Sequence, residues 1–266
     1  MYPKKFLAKI LKDFWRIKYR TTAIILTIAV SVAIYIGTHT TLRSINGTCA
    51  RLYQELNLAD LQFNFVPATE DELPKAARSV EGVERIEKRL ILPGSIEAKN
   101  DELIATLLVV LDEEKEPEVN RLKIMKGTYF NRGDRKSEEH EGTELNCVLL
   151  DYTFAKERGY DVDDRITLGV QGFFTEFKIS GLVVNAEHLI TSANPDFYMP
   201  IKNSLGIAYI PMRVIKDLFG YRIYNNFALT AAQGADIQTI RKSFENLFLK
   251  NAIELDGVLF RDDLFS

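Results

Sequence analysis

Few residues in this chain have types and spacings that could do chemistry. Its three histidines, His39, His140 and His188, lie far apart, a poor arrangement for a zinc site. The two cysteines, Cys49 and Cys147, are too few for a disulfide framework. Cys147 sits in an apolar run and reads as a buried thiol, with a bond to Cys49 left open. Asp161, Asp163 and Asp164 form the densest short acidic cluster and suggest calcium. Their loop lacks the glycine and distal glutamate of a helix-loop-helix calcium site, so turn formation is the expected role. No G-x-x-x-x-G-K-[ST] phosphate loop, G-x-S-x-G elbow, H-E-x-x-H or C-x-x-C occurs. We therefore assign no catalytic set, cofactor or metal, and an anchored hydrolase would need a nucleophile and base that we do not find.

The elements that carry these residues are arranged by charge. The 266 residues hold 34 Lys and Arg against 37 Asp and Glu. Residues 1–20 contribute seven of the basic side chains and a single acid, a local net of +6, which leaves −9 for the rest. A basic start on an acidic body argues against nucleic-acid binding and for a membrane with two differently charged sides. Residues 21–42 contain no Asp, Glu, Lys or Arg. At ~1.5 Å per residue they span roughly 33 Å, enough for a bilayer core of about 30 Å. A buried soluble helix would show a polar face, and a cleaved signal would show a small-residue cleavage site; neither is present. Only Arg43 and Arg51 follow closely, so the positive-inside rule puts the N-terminus in the cytoplasm and everything after Leu42 outside the cell membrane. Apolar residues interleaved with lysines make residues 1–20 an amphipathic elbow helix on the inner leaflet, with Phe14, Trp15 and Arg16 at the lipid interface.

Leu42, Ile45, Cys49 and Leu52 continue at steps of three and four. They mark residues 43–57 as a helical stalk, packing either on a partner helix or on its own domain. Residues 58–266 read as a mixed α+β outer domain. Leu61, Phe63 and Phe65 alternate as a strand. Thr69 begins a helix through Val80, and two long strands over 83–96 and 102–111 and a shorter one near 122–125 follow. A strand at 145–150 leads into a short helix from Asp151 closed by Gly159. Residues 165–170 pair back through Gln171 and Gly172 with 173–184. Strands near 207–210 and 226–231 frame a helix from Pro211 to Gly220, and Asp236 opens a last helix.

Residues 147–184 follow a recurring order. A strand leads to a helix with Ala155 and Lys156, a Gly159-Tyr160 break, an acidic turn before Ile166-Thr167-Leu168, a hairpin, then Phe177 to Val183. This resembles the extracytoplasmic core domain of FtsX/MacB-type ABC transporter permeases. Gly82-Val83-Glu84 and residues 122–130 fit the same order, as does the layout of elbow, span, stalk and outer domain. In the acidic turn, Asp163-Asp164 replaces the family's Gly-Asp. Such permeases have at least four spans, so the resemblance implies that these residues are the amino-terminal part of a longer chain; residues 185–223 look like an insertion of larger members. It also implies a cytoplasmic ABC ATPase subunit as partner, a second permease copy forming a dimer, and lipid around the span. In that mechanism ATP is hydrolysed elsewhere, and the outer domain engages a lipid, lipoprotein, peptide or envelope partner. The competing reading is a self-standing, single-span anchored binding or sensor module without an ATPase.

Overall fold

The computed structural model describes residues 18–98, 102–130, 146–170, 172–188 and 205–261. The chain divides into two compact units, residues 1–52 and 53–266.

The first unit, where described, is helical. Helix α1 (Lys18–Glu55) runs for 38 residues. Its part Lys18–Thr41 is long and apolar enough to cross a membrane, and none of it is buried by protein. Ile24, Leu26, Ile28 and Ile34 are each more than half exposed, an arrangement that water penalises and hydrocarbon does not. The hydroxyls within this stretch bond inside the helix: Thr27 Oγ1 donates to Ala23 O at 2.9 Å and Ser31 Oγ to Thr27 O at 2.8 Å. That leaves no bare polar group facing lipid at these two positions. Phe14, Trp15 and Arg16 lie outside the described residues. The expected stalk is helical as far as Glu55. Leu42, Ile45 and Cys49 are on α1, their side chains outside the described residues, and Leu52 is half-buried.

The second unit runs β1 (Leu61–Thr69), β2 (Val83–Glu97), β3 (Leu103–Leu111), β4 (Leu122–Gly127), β5 (Asn146–Asp151), α2 (Tyr152–Arg158), β6 (Arg165–Val170), β7 (Phe173–Asn185), β8 (Gly206–Pro211), α3 (Met212–Phe219), β9 (Ile223–Ala231), α4 (Ile237–Lys250) and β10 (Leu255–Phe260). This is the mixed α+β order expected from the sequence. The strands follow one another as β10-β1-β9-β2-β3-β8-β5-β7-β4. Because β6 pairs with both β2 and β7, strands β2, β3, β8, β5, β7 and β6 close into a ring. Strand β2 serves two sheets. Its residues 83–89 pair with β9, and from Leu90 onward it pairs with β3.

Each half has its own packing logic. Helix α4 starts at Asp236, whose carboxylate accepts from the amides of Gln238 and Thr239. It buries Ile240, Phe244 and Phe248, spaced four apart, on the flat sheet. There Phe63 stacks on Phe244 with ring centroids 4.8 Å apart, and Phe65 and Phe227 lie 5.2 and 5.7 Å from Phe248. In the ring, β3, β5 and β8 are covered on both faces. Leu108, Leu150 and Ala208 belong to the main core, while Val109, Leu149 and Tyr209 pack in a second cluster. Burial on both faces is why these strands read as unbroken apolar runs rather than alternations.

Two expectations need correction. The helix from Thr69 to Val80 does not form; a single 3-10 turn, Lys75–Ser79, takes its place. Thr69 does accept the capping geometry, its amide donating to Glu72 Oε2 at 2.7 Å. Pro74 disfavours the α conformation at Leu73 and breaks the propagation. Nor is the whole of residues 185–223 an insertion, since it contains β8. Strand β8 lies between β3 and β5, parallel to β3 from Thr106↔Gly206 to Leu111↔Pro211, and is part of the sheet itself.

Candidate functional site

At its C-terminal end α1 gives way to Leu56 and Asn57, and the chain turns into the outer domain through an asparagine at φ 54°. Asparagine tolerates this left-handed conformation better than most residues. A second left-handed asparagine, Asn120 at φ 52°, lies against it in the segment between β3 and β4. The two lock together through the backbone: Asn120 N donates to Asn57 O at 2.9 Å and Arg121 N to Leu56 O at 2.7 Å. Asn57 Nδ2 donates to Glu118 O at 2.8 Å, and Ala59 N to Asn120 Oδ1 at 2.7 Å. Lys123 adds an exposed ion pair to Glu55 at 2.9 Å.

Asn120 faces inward as well. Its Nδ2 donates to Glu187 Oε2 at 2.7 Å, on the turn that follows β7. Glu187 and Arg89 form a forked ion pair, Nη1 to Oε2 at 2.6 Å and Nη2 to Oε1 at 3.1 Å. Both side chains are almost fully enclosed, Arg89 2% and Glu187 7% exposed. Arg89 spends its remaining donors on Asn226 Oδ1, at 2.9 and 2.8 Å, and on Gln62 Oε1 at 3.1 Å. Asn226 Nδ2 passes the chain on to Asn64 Oδ1 at 2.7 Å. Glu187 is steadied from its own strand, its amide donating to Asn185 Oδ1 at 2.8 Å. Each buried charge thus meets several partners, the condition for tolerating an ion pair in an apolar interior.

The location follows from topology. Arg89 pairs with Asn226 as the last β2–β9 partners, and Leu90 opens the pairing with β3. Where β2 leaves β9, the Asn225 side chain replaces the ladder: Nδ2 donates to Ile91 O and Ile91 N donates to Oδ1, both at 2.8 Å. The ion pair therefore sits at the joint between flat sheet and ring, one hydrogen bond from the asparagine that holds the end of α1. Burial pushes the Glu187 carboxyl up, but the Arg89 guanidinium outweighs it and holds the group down at about 2. Burial lowers the imidazole of the adjacent His188 below its ordinary value. An arrangement of amides around a permanently ionised pair holds geometry.

The residues singled out from the sequence fare differently. Cys147 is buried on β5. The aspartates form a turn: Asp161 N donates to Asp164 Oδ2 at 2.9 Å, and Asp161 pairs with Lys126. Asp163 adopts φ 73°, the conformation a glycine would supply, so the Asp-Asp departure keeps the turn. Among the described residues no group of His, Cys, Asp or Glu is placed to hold a metal ion. His39 stacks on Tyr35 along α1, and His140 lies outside the described residues. Arg89, Glu187 and Asn120 were not singled out from the sequence. The available signals were an arginine bordering the apolar run of β2 and two adjacent asparagines inside β9.

A family model described as the MacB-like periplasmic core domain matches residues 21–247. Among solved structures the chain is similar to the extracellular domain of the ABC-type transporter YknZ from Gram-positive bacteria. That match has 14% identity and a TM-score of 0.44, covering 75% of this chain and 100% of the other. It is also similar to the periplasmic region of MacB from Actinobacillus actinomycetemcomitans, at 11% identity and a TM-score of 0.46, covering 81% and 94%. No curated protein matches.

Proposed function

The chain belongs to the MacB-like periplasmic core domain family, and from that premise we propose that it is the membrane-anchoring helix and outer domain of an ABC-type permease subunit. The observation that carries this reading is the path just described: one helix continuous from the apolar stretch to Glu55, whose end is bonded to the joint of the outer domain. Such a path suits a machine that transmits movement across a membrane better than one that conducts a solute.

In this reading residues 1–20 lie on the cytoplasmic leaflet with Phe14, Trp15 and Arg16 at the interface. Residues 21–42 span, 43–57 form the stalk, and 58–266 lie outside the cell. ATP is hydrolysed by a separate cytoplasmic subunit, and two permease copies pair through Leu42, Ile45, Cys49 and Leu52. Closure of the ATPase shifts α1 along its axis. The shift passes from Asn57 through Asn120 to Glu187 and Arg89, and changes the angle between flat sheet and ring, where a lipid, lipoprotein, peptide or envelope partner is engaged.

The test is to tag the protein at its own chromosomal locus, solubilise it and identify what purifies with it. Co-purification of a P-loop ATPase, with a reading frame encoding further hydrophobic segments, is the expected result. A frame with no further segments and no associated ATPase would overturn the permease reading and leave a single-span anchored module.

A further inference from the structure

A cleft of about 360 Å³ opens beside the joint, floored by the first half of β2 and walled by the 3-10 turn, the start of β9 and the segment after β3. Its lining is almost all charged, and the charges balance. Arg78, Arg85, Lys88, Lys115 and Arg222 face Glu70, Glu84, Glu87, Asp112 and Glu118.

Pairing within the cleft is incomplete in a specific way. Lys88 is taken by Glu70 at 2.5 Å and lies over the Tyr224 ring, 4.9 Å from its centroid. Lys115 is taken by Glu118 at 2.6 Å, and Arg85 reaches Glu84 at 3.5 Å. That leaves Arg78 without an ion-pair partner among the described residues, and Arg222 hydrogen-bonded to Tyr224. On the acidic side Glu87 receives only the Glu118 amide, at 3.2 Å. Burial raises its carboxyl above the ordinary range, and the nearby charges of Lys115 and Arg89 offset this only in part. Two guanidinium groups suited to an oxyanion and one under-compensated carboxylate thus share one concave surface.

Through Glu118 the same cleft is bonded to Asn57, two residues past the end of α1. Glu118 donates its amide to Glu87 and accepts Asn57 Nδ2 on its carbonyl, and two residues later Asn120 binds Asn57 and Glu187. A ligand that draws on Glu87 and on the Lys115–Glu118 pair acts on the segment that clamps the helix end.

We propose that this cleft binds a small zwitterion, its phosphate or carboxylate on Arg78 and Arg222 and its ammonium on Glu87, and that occupancy is read at the base of α1 through residues 118–121. The full chain in maltoside micelles is titrated calorimetrically with glycerophosphoethanolamine, triglycine, inorganic phosphate and ethanolamine. At least one zwitterion binds tenfold or more tightly than phosphate or ethanolamine alone. A stronger glycerophosphoethanolamine signal assigns a phosphate headgroup, a stronger triglycine signal a peptide carboxylate. Arg78→Ala, on the exposed rim, weakens the preferred zwitterion at least fivefold. Glu87→Gln keeps an acceptor for the Glu118 amide and abolishes the preference for zwitterion over bare anion. Binding slows hydrogen exchange at the Asn120 and Arg121 amides severalfold, while a Lys126→Ala control changes neither measurement. No binding by any probe, zwitterions no tighter than their halves, or variants without effect would overturn the site; unchanged exchange at full occupancy would overturn the relay. Neither measurement requires an ATPase, so failure here is distinct from failure of the permease reading.

Discussion

Arg89 and Glu187 are 98 residues apart in the chain and meet as a buried forked pair, at the residue where β2 passes from one sheet to the other. Removing one partner strands a buried charge, which costs ~3–5 kcal/mol, whereas replacing both with apolar groups of similar volume is often neutral or better. We expect Glu187→Leu and Arg89→Met each to lower the thermal midpoint of the full chain sharply, and the double variant to recover most of the loss. Additive losses in the double variant, measured by circular dichroism, would show that the pair is not a unit.

The pair also sets the acid response. Glu187 is held at about 2 in the fold against 4.5 for an ordinary glutamate. A depressed folded value means the unfolded chain takes up the proton first. The stabilisation, roughly 3 kcal/mol, is complete above pH ~4.5 and is lost as pH falls through about 2. His188 acts in a higher window. Burial lowers its imidazole from 6.5, so protonation of the unfolded chain below that pH erodes stability. The midpoint should therefore fall in two stages on acidification, the upper removed by His188→Gln and the lower by Glu187→Gln. A Glu187→Gln protein with the wild-type slope between pH 4.5 and 2 would refute the assignment.

Much of the outer domain was legible because its signals are local. Asp151 caps α2 and Gly159 closes it at φ 71°, and β6 does pair antiparallel with β7. What escaped reading is set by distance. Pro74 overrides a well-formed cap five residues after it begins, and β8 lies within a stretch that reads as an insertion yet fills the middle of a sheet. The site itself brings residues 57, 89, 120, 187 and 226 together, and no periodicity links them. An arginine beside an apolar run is ordinary until topology buries it.

The span gives a sharp test. Ile28 is near the middle of the apolar stretch of α1 and 58% exposed. In hydrocarbon, Ile28→Asp should raise the insertion free energy by ~2.5–3.5 kcal/mol, reducing membrane-integrated protein in a glycosylation-reporter assay. The same substitution on a helix that stays in water would leave expression and solubility unchanged or improved. Insertion at wild-type level would remove the membrane assignment.

Close approach of β4 and β7 makes Gly127 a second stability test. It sits at φ +79°, and a Cβ there would overlap the Ser180 carbonyl oxygen. Backbone strain and overlap act together, so Gly127→Ala should destabilise by more than the ~1 kcal/mol common for glycine replacements at left-handed positions. Gly159, at φ +71° with nothing near its Cβ position, carries strain alone. Denaturant titration should therefore rank Gly127→Ala well below Gly159→Ala, and equal losses would contradict the packing between these strands.

Asn120 holds the Ala59 amide, in the segment that follows α1, with its side-chain oxygen and the ion pair with its side-chain nitrogen, so its substitutions separate the two roles. Asn120→Ala removes both bonds and leaves alanine at φ 52°, a conformation it resists. Asn120→Asp keeps an acceptor for the Ala59 amide and tolerates the backbone, but turns a carboxylate toward Glu187 where an amide had donated at 2.7 Å. Like charges at that range raise the folded pKa of the new acid above its unfolded value, so its penalty is present at neutral pH and disappears as the acid protonates. Near pH 7 both variants should be destabilised. Towards pH 4.5 the aspartate variant should regain stability relative to the alanine variant, whose defect has no charge to titrate. A gap between the two that stays constant across that range would mean the Asn120 side chain does not face Glu187, and would sever the path from helix end to joint.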